Sequence, residues 1–207
     1  MKRQVLVVIF LVSVSTLLPH RLWAQYFAEE HWHEGRVELK DGYKHSGQLR
    51  YSLQENLIQF KGENLIRNFN PTDVEYFQFY DEHREQVRHF YALVFEEKPI
   101  FFELLFNGAI SLLNREKLVV RYMNSFGWGA MGINTVSELH DQLFLLLPGL
   151  VIQPVPNTRR ELVDLLPAHQ NEIDAYIRDH RIRLRQIGDI VMVLRYYNEI
   201  EQQTQYR

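Results

Sequence analysis

Arg36-Val37-Glu38-Leu39-Lys40, followed by Asp41-Gly42 and then by Gly47-Gln48-Leu49-Arg50-Tyr51, is the stretch whose reading decides the fold. Apolar and polar side chains alternate along both arms, so a strand period puts Val37 and Leu39 on one face and lets Leu49 and Tyr51 join them. Asp41-Gly42 and the residues up to Ser46 supply the reversal between the arms. A hairpin with one buried face follows, and its register is fixed because a slip of one residue would turn the apolar set to water.

Downstream the two-residue period continues. Short strands are predicted over residues 57–60, 65–69 and 74–80, the last introduced by Pro71-Thr72-Asp73. Residues 87–95 and 100–106 form longer and almost continuously apolar runs, which predicts two central strands buried on both faces, by the meander on one side and by helices on the other. Asn107-Gly108 predicts a tight hairpin into a strand over 109–113, since both residue types tolerate positive φ. Three glycines set among Phe126, Trp128 and Met131 predict a mobile loop over 124–135. A final strand is expected over 142–147, and Gln153-Pro154-Val155-Pro156 as a stiff connector.

After Pro156 the period becomes helical. Thr158 and Glu161 have capping-box spacing ahead of Leu162, Leu165 and Leu166, and Pro167 suits the start of a second helix carrying Ile173, Tyr176 and Ile177. Ile187, Ile190, Val191, Leu194 and Tyr197 make an i, i+3, i+4, i+7 stripe on a last helix over about residues 186–203. The expected class is α+β: an antiparallel β meander, as a sheet, sandwich or partial barrel, over residues 25–156, with helices over 157–207 packed on it and sharing its core. Phe101, Leu104, Leu113, Ile187, Val191 and Leu194 are the expected core residues.

The first 24 residues read as a signal peptide. Lys2 and Arg3 precede an apolar run of about 14 residues, and Pro19 to Ala24 complete the pattern, with cleavage expected after Ala24. The whole chain has 207 residues with 23 Lys and Arg against 26 Asp and Glu. Lys2, Arg3 and Arg21 leave with the signal, so the mature chain is more acidic, with 20 basic against 26 acidic residues. That balance argues against nucleic-acid binding. The absence of cysteine excludes disulfides, thiol catalysis and cysteine-ligated zinc.

The order of these segments resembles a group of exported, strand-rich proteins of Bacteroidetes-type bacteria. The residues that carry the resemblance are 35–42 (Gly-Arg-Val-Glu-Leu-Lys-Asp-Gly), 47–51 (Gly-Gln-Leu-Arg-Tyr), 101–113 (Phe-Phe-Glu-Leu-Leu-Phe-Asn-Gly-Ala-Ile-Ser-Leu-Leu) and 194–198 (Leu-Arg-Tyr-Tyr-Asn). The resemblance implies a signal peptide followed by a small strand-rich unit with a helical tail, which in some members precedes an outer-membrane barrel. It brings no catalytic residue with it.

Chemistry is sparse. His31 and His33, two apart and near Glu29 and Glu34, have the spacing to share a metal from one side of a strand. They support the alternative of a metal-assisted hydrolase. No GxSxG, SxxK, HExxH or phosphate-loop pattern occurs. Asp81, Glu82 and Glu85 read as a solvated turn, and Ser111 as a residue on the sheet surface. Arg178, Arg181, Arg183 and Arg185 form a basic run suited to an anionic surface. Phe126, Trp128 and Met131 are the candidate binding residues, because apolar side chains in a glycine-rich loop offer area to a partner. The leading expectation is an exported cell-envelope module, periplasmic, outer-membrane-associated or extracellular. It would bind or assemble an envelope protein or glycan, without catalysis, cofactor or a membrane span after signal cleavage. A carbohydrate-binding module is a further alternative.

Intact mass of the exported protein should correspond to a chain beginning at Gln25. A mass that retains Met1 would mark an uncleaved anchor instead.

Overall fold

A computed structural model describes residues 31–62, 65–127 and 130–205, with residues 122–127, 130–136 and 205 described by their backbone alone. Ten strands pair antiparallel throughout in one open sheet. They are β1 (His33–Leu39), β2 (Lys44–Ser52), β3 (Leu57–Lys61), β4 (Ile66–Phe69), β5 (Val74–Asp81), β6 (Gln86–Phe95), β7 (Lys98–Phe106), β8 (Ser111–Gly127), β9 (Ala130–Leu147) and β10 (Val151–Pro154). The order across the sheet is β10-β9-β8-β7-β6-β5-β1-β2-β3-β4. Three helices follow, α1 (Arg159–Leu165), α2 (Gln170–Asp179) and α3 (Ile187–Gln205). The α+β class is therefore as expected, with the sheet open and its N-terminal part curled. Among the described residues no helix is long and apolar enough to cross a membrane.

The curl follows from the alternating hairpin. Val37, Leu49 and Tyr51 point inward with Phe77, Phe79, Phe90 and Phe101 to form an aromatic core. Strands β2 and β7 are four positions apart in the sheet, about 19 Å if it were flat. Yet the rings of Tyr51 and Phe101 lie 5.8 Å apart, edge to face. Phe77 and Phe90, opposite each other on β5 and β6, stack at 4.6 Å. The turn after β2 completes the curl, with Asn56 Oδ1 accepting from the Phe101 backbone N–H at 3.3 Å. Gly35 permits the tight approach of β1 to β5, because a Cβ there would stand 2.3 Å from the Gln78 carbonyl oxygen.

A second core lies further along the same face. Leu112 on β8 and Leu145 on β9 are opposite each other and meet Leu162, Ile173, Ile177, Ile190, Val193 and Leu194 of the helices. A third cluster, Ile100, Phe102, Leu113 and Phe144, occupies the other face. The two central strands are thus apolar on both faces, but the helices do not cover the face opposite the aromatic core. Antiparallel register puts Leu112 on the same side as Phe101, so helices and aromatic core lie side by side. Phe101, Leu113 and Leu194 are 1% exposed, while Leu104, Ile187 and Val191 pack at the margins of their clusters.

Several local expectations change. Residues 107–110 all belong to the connection between β7 and β8, and neither Asn107 nor Gly108 has positive φ, so this is no two-residue turn. Gly108 has another role: a Cβ there would displace the Asn198 side chain, whose Oδ1 accepts from the Ala109 N–H at 2.9 Å. Ser111 is buried, with Oγ accepting from the Gly108 N–H, so it closes this connection and does not line the surface. The expected connector around Pro154 is instead the edge strand β10, where a missing N–H is tolerated. The Thr158 side chain caps α1 by accepting from the Glu161 N–H, as its spacing predicts. The second helix starts after left-handed His169, three residues beyond the expected Pro167 onset.

Leu194→Asp should cost several kcal/mol by placing an unpaired charge in the helix core, which a denaturant titration will show. Tyr197 gives a pH-dependent companion test. Burial, reinforced by Glu201 alongside, pushes its phenol up to about 12. The folded value lies above the ordinary value of about 10, so this contribution is complete below pH 10 and is lost as pH rises toward 12. Tyr197→Phe should flatten the alkaline limb of the stability profile.

Candidate functional site

The most concentrated chemistry in the fold is a buried ionic network between the aromatic core and the helix core. Strand alternation brings Arg88 of β6, Glu103 of β7 and Asn114 and Glu116 of β8 to one face beside Phe79 and Phe90. Arg88 Nε and Nη2 donate to Glu103 Oε1 and Oε2, both at 2.7 Å. Nη2 also donates to Glu116 Oε2 at 2.9 Å, and Nη1 lies 3.6 Å from Asp81 Oδ2. The guanidinium sits over the Phe79 and Phe90 rings at 5.7 and 5.1 Å. Burial opposes its charge, but hydrogen bonding and attraction from Glu103, then Glu116, outweigh burial and raise it above the ordinary guanidinium value.

Asp81, Glu103 and Glu116 are buried with Arg88, while Arg84 reaches Glu116 from a half-exposed position. Asn114 Nδ2 links Glu103 to Asp141, donating at 3.4 and 2.7 Å. Asp81 was expected in a solvated turn with Glu82 and Glu85. Those two are exposed, but Asp81 is wholly buried, and its Oδ1 accepts from the His83 and Arg84 N–H groups at 3.1 Å. The strand phase held the missed signal: Phe77-x-Phe79-x-Asp81, Arg88-x-Phe90 and Phe101-x-Glu103 each put a charge in the inward sequence of an aromatic strand. A single guanidinium that ties carboxylates from three other strands fixes their spacing. Glu116 also borders a concavity of about 380 Å³, between Leu53 and Gln54 of the β2–β3 turn and Lys117, Leu118 and Val120 at the start of the β8–β9 ribbon.

The histidine candidates have a different setting. His33 is buried, stacked on Phe79 at 4.6 Å, with Nδ1 donating to the Tyr80 carbonyl at 3.2 Å. His31, His33, Glu82 and His83 border one concavity of about 430 Å³ together with Trp32, over which the Arg50 guanidinium lies at 5.2 Å. Among the described residues no three His, Asp or Glu side chains are placed to hold a metal ion.

The largest correction concerns residues 124–135. Residues 124–127 and 130–135 continue β8 and β9 in unbroken antiparallel register, with Asn124 opposite Ile133, Phe126 opposite Met131 and Gly127 opposite Ala130. Gly127 and Gly132 take part in the ladder, opposite Ala130 and Ser125. Trp128 lies outside the described residues, as do the side chains of Phe126 and Met131. The pairs from Arg115 opposite Gln142 to Gly127 opposite Ala130 lie beyond the last residues that β7 and β10 pair with, Asn114 and Phe144. Midway along this ribbon Val120 is 46% exposed, and Glu138 Oε2 lies 3.4 Å from Arg121 Nε and 3.3 Å from His140 Nε2.

No protein-family model, curated protein or solved structure matches the chain.

The network predicts a large effect from one side chain. Arg88→Met should lose on the order of 3–5 kcal/mol, because among the described residues it leaves Arg84 as the one cation beside three buried carboxylates. Carboxylates stranded in this way acquire raised pKa values, so the loss should shrink as the pH is lowered from about 7 to about 5. Denaturant titration at both pH values checks the magnitude and the sign.

Proposed function

We propose that this protein is an exported cell-envelope module that binds or helps to assemble a partner protein through the β8–β9 ribbon, and that it works by binding and not by catalysis. The single observation that carries this reading is the ribbon itself. Thirteen residue pairs run from Arg115–Gln142 to Gly127–Ala130 with no third strand among the described residues. Their span is roughly 40 Å at strand rise. A two-stranded ribbon is marginally stable alone in water, and its unpaired edges are a template for another backbone. Strand addition supplies affinity through main-chain hydrogen bonds, which favours a protein over a glycan as occupant. The signal-peptide pattern and the resemblance to exported Bacteroidetes-type proteins support placement in the envelope.

Phe126 and Met131, opposite each other near the ribbon end, and Trp128 between them are the residues assigned to contact the partner. Aromatic anchors carry a large share of binding energy in protein interfaces. A photo-crosslinker at Val120 should capture one discrete envelope protein in native cells, and Phe126→Ser with Trp128→Ser should abolish the product while changing stability by less than about 1 kcal/mol. A crosslink that persists in the double variant, or no product above background, would remove the ribbon as the binding element. Loss of several kcal/mol of stability would show that these side chains belong to the fold.

A further inference from the structure

The connection between α2 and α3 builds a second surface, unrelated to the ribbon. Residues 181–185 read Arg-Ile-Arg-Leu-Arg, and burial alternates with them: Ile182 and Leu184 pack against the helix core while Arg181, Arg183 and Arg185 are exposed. The conformation is pinned at several points. The Ile182 N–H donates to the Ile177 carbonyl at 3.1 Å, and the Gln186 N–H donates to the Arg183 carbonyl at 2.9 Å. Asp189 Oδ2 accepts both the backbone N–H and the Nε of Arg183, at 2.9 and 3.1 Å. These two hydrogen bonds hold the Asp189 carboxyl below its ordinary range.

Arg159 at the start of α1 and Arg178 near the end of α2 complete the rim of a concavity of about 650 Å³. Five arginines and no acidic residue line it, and Ile177, Ile182 and Leu184 supply apolar wall. Neighbouring carboxylates neutralise only part of this charge. Asp174 serves Arg159 and Arg178, Asp179 serves Arg178, and Asp189 serves Arg183. Arg181 and Arg185 have no acidic partner among the described residues. An acidic chain thus places five arginines around one hollow, with two of them left uncompensated. The basic run suited to an anionic surface lines this hollow. Concavity focuses the field, the size is that of a small-ligand site, and guanidinium forks match phosphate oxygens in pairs.

We infer that this hollow binds a phosphate-bearing ligand of headgroup or sugar-phosphate size, with Arg181 and Arg185 as its principal contacts. The ligand's phosphate takes hydrogen bonds from these two guanidiniums, and its carbon skeleton lies against Ile182 and Leu184. The same chemistry is offered by a lipid headgroup and by a soluble phosphate ester, so the test separates them.

Full-length exported protein is titrated calorimetrically with inorganic pyrophosphate, and in parallel is floated with vesicles of phosphatidylcholine alone or with phosphatidylglycerol added. Pyrophosphate should bind saturably and more weakly as salt is raised. Arg181→Gln with Arg185→Gln should weaken it by about tenfold or more, since each lost charged hydrogen bond accounts for a large part of that factor. Both side chains are exposed, so an unchanged melting temperature will show that folding is intact. Arg195→Gln, an exposed arginine of α3 outside the hollow, should leave binding unchanged. Flotation with the anionic vesicles that the double variant loses identifies a headgroup as the source, and pyrophosphate binding without flotation identifies a soluble ester. Absence of saturable binding to either probe at low salt overturns the inference, as does equal binding by the double variant or equal weakening by Arg195→Gln.

Discussion

The Arg88 guanidinium is the contact on which the geometry of the sheet depends. Two parallel hydrogen bonds to Glu103, a third to Glu116 and a longer contact with Asp81 join β6 to β7, β8 and the end of β5. Phe79 and Phe90 hold the same group in place by their rings. A buried charge is tolerated only when its partners surround it, so these strands cannot slide or separate without stranding carboxylates in a low-dielectric interior. Networks of this kind are poor sources of net stability, because desolvation offsets much of the attraction. What this one supplies is register: it sets where β8 crosses the end of the aromatic core, and therefore where the ribbon departs.

On either side of the network the two apolar cores have different jobs. The aromatic core bends β1 to β7 until Tyr51 touches Phe101, and the Asn56 amide oxygen covers a β7 N–H where β8 has not yet joined. The helix core clamps the roots of β8 and β9 through Leu112 and Leu145. A ribbon held at its base by packed helices and ion pairs can project without unravelling, since its ladder only has to be continued, not nucleated. The same helices, joined by a short alternating connection, turn aliphatic side chains inward and arginines outward. The ribbon and the basic hollow are consequently attached to one helical platform.

Period and punctuation determined much of this protein by themselves. Strict alternation in residues 36–51, the aromatic runs from 74 to 106 and the helical stripe ending at Tyr197 fixed the strand and helix identities, because one-sided burial is a local demand that each segment meets alone. Thr158 marked its helix start for the same local reason, a side-chain oxygen one turn from an unpaired N–H. Tertiary structure decided everything that depends on which faces meet. Whether Asp81 is wet or buried, whether Gly108 serves a turn or makes room for Asn198, and which side of β7 the helices cover are set by residues dozens of positions away. The glycine-rich stretch shows the limit most clearly. Locally its glycines weaken any one conformation, yet the backbone continues a ladder already begun at Ser111 and Leu146, and propagation from an anchored end needs far less local preference than starting a hairpin anew.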